Sequence, residues 1–183
     1  MVESRLWLVS AAAWFESRPV GSEARHRDGK KEDGVPEFPS EEWLTDYARR
    51  IDESPRYREA AATWEGDISY VFEAEPDKGV PEEVWVWLDL WHGRCRASRY
   101  GLSEEDGQKA RFIIRAPYTR WKEVINRQLD PIKGMMQGKL KLKGDLPTIV
   151  RYVKAANELV NLAASVPTEF VDEKGTSLEG GSG

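Results

Sequence analysis

The sequence has little cysteine or histidine, and it contains no long apolar run. Cys95 is its single cysteine, and only two histidines are present. A lone cysteine excludes an intramolecular disulfide and favours a reducing compartment, so we expect a cytoplasmic protein. Two separated histidines and one cysteine give no cluster of metal ligands. No apolar stretch approaches the length that spans a bilayer.

Recognisable catalytic and phosphate-binding motifs are also missing. His92 and Cys95 lie near each other in the chain, but no acidic partner that would complete a nucleophile system is evident. The segment 134–138 has a glycine at each end, but it lacks the lysine and the hydroxyl group of a P-loop. We therefore expect a protein that is not an enzyme, with no catalytic residues, no bound metal and no cofactor.

Charge is distributed unevenly along the chain. Residues 37–110 carry eighteen acidic and nine basic side chains, whereas residues 111–161 carry eleven basic and four acidic ones. A basic segment attracts phosphates and anionic membrane surfaces, which predicts a transient membrane contact; a solvated face is an equally good interpretation. The net charge of −5 and the lack of a nucleic-acid-reading motif argue against a nucleic-acid partner.

Composition divides the chain into three parts. Residues 1–37 form an N-terminal extension and a mobile linker, because residues 16–39 are rich in Gly, Pro, Ser and charged side chains. Within the extension, Arg5 and the apolar run 6–15 fit either a weak secretory signal or a short element that packs on the domain. Residues 38–165 are predicted to form one folded domain and residues 166–183 a flexible tail.

Helix signals recur through residues 38–165. Ser40, Ser54, Asp130 and Asp145 each stand where an N-cap begins a helix, and Pro117 begins another. The last of these helices is predicted to run without a break through its apolar stripe as far as residue 162.

Strand signals lie between these helices. Alternation near residues 68–74 and 139–143, together with the segments 84–91, 94–100 and 110–114, indicates five strands, and residues 101–107 are predicted to be a loop. Sequential strands with tight turns predict an α+β fold, with a five-stranded, mainly antiparallel sheet and helices packed on one face.

Eight tryptophans are unusual for a chain of this length, and three of them lie on the second predicted strand. If the aliphatic side chains of that strand face the helices, Trp85, Trp87 and Trp91 lie on the other face of the sheet. Such an apolar patch is rarely left bare. We expect it to be covered either by the segment 6–15 or by the same face of a second copy in a homodimer.

The segment 130–147, which reads DPIKGMMQGKLKLKGDLP, resembles the most recognisable part of the sterol carrier protein family. The segment 87–93 resembles that family's aspartate-containing strand and glycine turn. The segment 110–114, with the Trp121 helix after it, resembles the fourth strand and the helix that follows. The resemblance covers about residues 38–162 with the element order intact. It is strong over 130–147 and looser before residue 84.

This resemblance implies a non-catalytic carrier with an apolar tunnel between sheet and helices, which holds a fatty acid, acyl-CoA, phospholipid or sterol-like ligand. The ligand-binding residues expected on this basis are Val86, Leu88, Phe112, Ile114, Trp121, Ile132, Met135, Met136, Gln137, Leu140, Leu142, Ile149 and Val153. Gln137 would orient a headgroup by hydrogen bonding. Without the resemblance, ordinary core packing is favoured for each of them. The alternative function is a dimerising or docking module for a lipid-metabolising partner, with no ligand of its own.

Overall fold

The computed structural model of the chain describes residues 34–174. The predictions for the segment 6–15 and for the tail beyond residue 174 lie outside these residues. The strands are β1 Glu37–Phe38, β2 Glu65–Glu73, β3 Val84–Trp91, β4 Arg94–Tyr100, β5 Phe112–Pro117, β6 Lys141–Lys143 and β7 Glu169–Phe170. The helices are α1 Glu41–Glu53, α2 Pro55–Ala60, α3 Glu104–Gly107, α4 Tyr118–Ile125, α5 Pro131–Met136, α6 Leu146–Arg151 and α7 Val153–Ser165.

A five-stranded sheet with the strand order β4-β3-β2-β5-β6 lies at the centre of the domain. Neighbouring strands are antiparallel except for β2 and β5, which are parallel. Alternate side chains of β2, among them Ile68, Tyr70 and Phe72, join the core that the helices cover. The predicted α+β class and the mainly antiparallel sheet are confirmed.

The turn between β3 and β4 forms where the sequence predicts it. His92 and Gly93 have φ angles of 47° and 73°, which is the backbone of a two-residue hairpin turn. Glycine is required at position 93 for a second reason, since a Cβ atom there would lie 2.4 Å from the Cα atom of Arg58. The hairpin is therefore packed closely against the backbone of α2.

Side-chain caps begin four helices at the residues that the sequence predicts. Ser40, Ser54, Asp130 and Asp145 each accept a hydrogen bond from the backbone N–H three residues further on. These caps satisfy donors that the first turn of a helix leaves without an intrahelical partner. The starts of α1, α2, α5 and α6 are thus set by local chemistry.

The last predicted helix is divided into α6 and α7, which corrects the expectation of one continuous helix. Tyr152 leaves helical geometry between them, with φ −100° and ψ 30°. Its hydroxyl donates to the carbonyl oxygen of Thr63 at 2.8 Å, and its ring meets Trp64 edge-on. The break results from these long-range contacts, because nothing in the local sequence interrupts the helical pattern.

The chain after α7 folds back onto the domain, although residues from 166 onward are predicted to be a flexible tail. β7 pairs in parallel with β1, and Val166 and Phe170 are buried. Asp172 accepts hydrogen bonds from the Tyr118 hydroxyl at 2.7 Å and from the Lys122 ammonium at 2.8 Å. Burial raises the pKa of Asp172, but these donors outweigh it and hold the pKa below its ordinary value. The packed part of the chain extends past residue 165.

A small helix covers part of the tryptophan-bearing face of the sheet. Residues 101–107, which are predicted to be a loop, contain α3, and Gly107 of this helix lies directly over the Trp85 ring. Only 4% of Trp85 is exposed, and the Arg115 guanidinium lies 5.1 Å from the centre of its ring. The other helices pack against the core face of the sheet, as predicted, and the short α3 lies on the opposite face.

Trp87 and Trp91 are half-buried on the same face. The guanidinium groups of Arg99 and Arg96 lie over their rings at 5.4 and 4.8 Å, which is within the range of cation–π attraction. For Trp85 the chain itself supplies cover through α3, while the expected cover by the segment 6–15 lies outside the described residues. Pairing of two copies through Trp87 and Trp91 stays a prediction.

Candidate functional site

A cavity of about 100 Å³ lies between the sheet and the helices. Its sheet side consists of Ile68, Tyr70, Phe72, Val86, Leu90, Ile114 and the neighbouring Leu140. Its helix side consists of Trp43, Leu44, Tyr47, Tyr57, Trp121, Val124, Ile125, Pro131, Met135, Ile149, Tyr152, Ala155, Ala156, Leu159, Val160 and Ala163, with Phe38 and Trp64 at the margins. None of these described lining residues carries a charged side chain.

The indole N–H groups that border the cavity have partners elsewhere. Trp43 donates to the Thr168 hydroxyl, Trp64 to the carbonyl of Gly66, and Trp121 to the carbonyl of Val71, all within 2.9 Å. With its one donor occupied, each indole presents only apolar surface to the cavity.

Three tyrosines supply the polar groups at one side of the cavity. The Tyr47 hydroxyl donates to the carbonyl oxygen of Leu159 at 3.2 Å, and it also interacts with the Tyr70 hydroxyl. Burial raises the pKa of Tyr47, Tyr57 and Tyr70 well above the ordinary value of a phenol. Burial also raises the pKa of the neighbouring Cys95 thiol to about 12. All four groups are therefore neutral at physiological pH.

Helix α7 contributes half-buried apolar side chains to one side of the cavity. Only Ala155 and Ala163 of this helix are buried, whereas Leu159 and Val160 are half-buried although both are apolar and line the cavity. An apolar side chain that borders empty space loses packing contacts on that side. Leu159 and Val160 are therefore incompletely packed on the side that faces the cavity.

Six of the residues predicted to bind a ligand line the cavity: Val86, Ile114, Trp121, Met135, Leu140 and Ile149. Four others, Leu88, Phe112, Ile132 and Leu142, belong to the surrounding core without bordering the cavity.

The remaining three predicted residues do not lie at the cavity, which is a correction. Met136 and Val153 are 71% and 40% exposed, and Gln137 is exposed at the C-terminus of α5. On so short a helix only one of two adjacent methionines faces inward, and Met135 is the one that does. Gln137 does not line the cavity, so its position does not support the predicted hydrogen bond to a ligand headgroup.

The sequence-based site omitted the contributions of α1, α2 and most of α7. The apolar stripes of these helices contain Trp43, Tyr47 and Tyr57, and on α7 Leu159 and Val160, all of which line the cavity. The helical periodicity identifies these stripes as inward-facing. It gives no information on whether an inward-facing residue meets another side chain or an open space.

Two other kinds of site are absent from residues 34–174. This part of the chain contains no group of three or more His, Cys, Asp or Glu side chains arranged to hold a metal ion. None of its helices combines the length and the apolar character needed to cross a membrane.

Residues 44–157, more than half of the chain, match the SCP-2 sterol transfer family. The chain belongs to this family. The predicted resemblance is thereby confirmed, and SCP-2 domains bind and transfer lipids. Most of the residues that line the cavity lie within the matched segment, so the cavity and the family match refer to the same part of the molecule.

Two solved structures are similar to this chain over most of its length. The crystal structure of a sterol carrier protein 2 is 40% identical, with a TM-score of 0.64, and the alignment covers 71% of this chain and 99% of that one. The solution structure of the conserved hypothetical protein TT1886 from Thermus thermophilus is 38% identical, also with a TM-score of 0.64. The alignment covers 75% of this chain and 94% of that one. None of the curated proteins matches the chain.

Proposed function

We propose that this protein binds a long apolar lipid in the cavity between sheet and helices and transfers it without chemical change. The observation that carries the proposal is a cavity between the sheet and the helices whose twenty-five lining residues include no charged side chain. Apolar lining with a few polar groups is typical of a small-molecule site. The similarity to a sterol carrier protein 2 supports a lipid as the ligand.

The size of the cavity indicates how a ligand enters. At about 100 Å³ it is smaller than typical ligand pockets, which measure roughly 300–1,000 Å³. A lipid chain therefore requires the cavity to widen. Because α7 has only two buried residues, we propose that this helix moves outward as the chain enters and that the lipid then supplies the packing that Leu159 and Val160 lack.

A cavity-filling substitution tests the proposal. Ala156 lines the cavity, whereas Ala164 lies on the same helix and does not. Ala156→Phe should therefore weaken lipid binding by about tenfold or more, because its ring occupies the space of the ligand. Ala164→Phe is the matched control and should bind as the unchanged protein does. Displacement of the neutral dye Nile red by hexadecanol and by palmitic acid measures both.

Native mass spectrometry of the purified protein, followed by lipid extraction, identifies any lipid that it carries. Equal affinity of the two variants for every lipid would place the ligand elsewhere. A protein from which no lipid is extracted, and in which neither compound displaces the dye, would show that the carrier function is wrong.

We propose further that lipid is exchanged while the protein lies on an anionic membrane. Met136, Val150 and Val153 are the most exposed large apolar side chains on the helices, at 71%, 43% and 40%. They lie on α5, α6 and the start of α7, next to cavity-lining Met135 and Ile149. Exposed basic residues accompany them in the same segments: Lys133, Lys139, Arg151 and Lys154. Apolar side chains surrounded by lysine and arginine match a surface of acyl chains beneath anionic headgroups.

Vesicle sedimentation tests this membrane contact. Binding to phosphatidylserine-containing vesicles should exceed binding to phosphatidylcholine vesicles, and it should weaken as salt is raised. Val150→Asp with Val153→Asp should abolish it, while Val35→Asp, at an exposed apolar position far from α5 in the chain, should leave it unchanged. Equal binding of both variants would contradict the proposed surface.

The alternative function, a docking or dimerising module without a ligand, depends on the tryptophan-bearing face. The chain itself seals Trp85 and places arginines over Trp87 and Trp91. The apolar area left for a partner is smaller than the sequence suggests, and the cavity is the stronger feature of the molecule.

A further inference from the structure

The Tyr57 hydroxyl is the one phenol of the cavity lining for which the described residues provide no hydrogen-bond partner. Tyr47 donates to Leu159 and Tyr152 donates to Thr63, while Tyr70 interacts with Tyr47. Only 1% of Tyr57 is exposed. No enclosed side-chain oxygen or nitrogen of the described residues lacks a partner. The Tyr57 oxygen is therefore accessible and unpartnered among the described residues, and Tyr57 lines the cavity.

The electrostatics of the cavity restrict what this hydroxyl can bind. Among the described lining residues there is no lysine, arginine or histidine to neutralise an acidic ligand. A phenol can donate to a carboxylate, but a single neutral donor does not compensate for burying that charge in an apolar cavity. An uncharged oxygen costs far less to bury, and one hydrogen bond satisfies it.

We propose that Tyr57, with Tyr70 beside it, donates a hydrogen bond to a neutral oxygen of the ligand, so that the cavity selects long-chain alcohols and esters over ionised fatty acids. This inference rests on the proposed lipid-binding function and narrows its ligand class. Tyr57 belongs to α2 and Tyr70 to β2, whereas Met135 and Leu140 line the cavity near β6. The polar end of the lipid thus lies toward α2, and its chain extends toward α5.

A comparison of ligands that share one chain length tests this selection. At pH 8 the unchanged protein should bind hexadecanol and methyl palmitate at least about tenfold more tightly than ionised palmitic acid. Tyr57→Phe should weaken the binding of hexadecanol by about fivefold, the value of one neutral hydrogen bond, and leave the affinity for hexadecane unchanged. Tyr70→Phe is a second variant with the same expected direction. Tyr100→Phe is the control, since the Tyr100 hydroxyl bonds the carbonyl of Pro39 outside the cavity.

The possible results distinguish a failure of the proposed role of Tyr57 from a failure of the proposed lipid-binding function. Failure of the unchanged protein to bind any of the four compounds would overturn the carrier function. Binding of palmitic acid as tightly as hexadecanol, or an equal effect of Tyr57→Phe on hexadecanol and hexadecane, would overturn the role of Tyr57 alone. A loss confined to the oxygen-containing neutral ligands supports it.

Discussion

Tyr57 is buried as a neutral phenol, and this links the candidate site to the stability of the protein. Burial raises the pKa of Tyr57 and of the nearby Tyr70. In the unfolded chain both groups ionise near the ordinary phenol value of about 10. Since the folded pKa lies above the unfolded one, the stability associated with each group is fully present below about pH 10. It is lost as the pH rises further, because only the unfolded state then releases the proton.

Tyr57→Phe should therefore reduce the alkaline sensitivity of the fold. Between pH 10 and the folded pKa, the unchanged protein should lose about 1.4 kcal/mol more unfolding free energy per pH unit than the variant does. At pH 8 the two should be nearly equal, because the substitution removes a hydroxyl that has no partner in the described residues. Urea unfolding at pH 8 and at pH 11 measures both differences. Parallel losses in the two proteins would contradict a buried neutral Tyr57.

The site residues show how far sequence reasoning extends at this scale. Ile114 and Val86 could be assigned to the inner face because strand alternation fixes the side on which they lie. Met135 and Met136 could not be distinguished, because the rotation of so short a helix about its axis depends on what it packs against. Gln137 was assigned a ligand contact by resemblance alone, and the structure places it at an exposed helix end. The helical period is consistent with an inward-facing Tyr57, but periodicity cannot reveal that a cavity lies in front of it.

At the scale of elements, the short helix α3 covers part of the apolar patch on the tryptophan-bearing face of the sheet. Ser103 caps this helix, and the buried Ser69 hydroxyl donates to the carbonyl of Gly107 at 2.9 Å. A Cβ atom at position 107 would lie 2.2 Å from the Cε3 atom of Trp85. Glycine is therefore what allows α3 to approach the indole closely enough to cover it.

Gly107→Ala should push α3 away from the sheet and destabilise the protein by about 1–3 kcal/mol, the usual cost of overpacking. Glu105→Ala, at an exposed position of the same helix, should change stability by no more than about 0.5 kcal/mol. Urea unfolding at neutral pH compares the two variants. Similar values for both would show that α3 does not pack on Trp85 as described.

The elements that the sequence predicted correctly are those with local causes. Ser40, Ser54, Asp130 and Asp145 cap helices through bonds to residues three positions away, and β3 and β4 begin and end as predicted. The break at Tyr152 and the pairing of β7 with β1 were missed. Each depends on partners about ninety or more residues distant, and no local pattern records such contacts.

The domain combines a sheet whose inner strands are deeply buried with a helix, α7, whose apolar side chains are mostly half-buried. β2 pairs with β3 over eight residue pairs and with β5 over six, and Leu88, Leu90 and Val71 are fully buried there. α7 lies across the cavity from this sheet, and its apolar side chains are mostly half-buried. Local opening free energies follow such differences in packing. The molecule should therefore open first at α7, while the sheet stays intact.

Hydrogen exchange tests this uneven stability and its coupling to the ligand. In the lipid-free protein the amides of α7 should exchange faster than those of β2 and β3. Saturation with hexadecanol should slow exchange in α7 by about tenfold or more, because the bound ligand fills the space beside Leu159 and Val160 and stabilises α7 against local unfolding. α3 lies on the opposite face of the sheet, so its rapidly exchanging amides serve as an internal control and should not change. Equal slowing in α3 and α7 would mean that the lipid does not act through the cavity wall, and that α7 is not the element that opens to admit it.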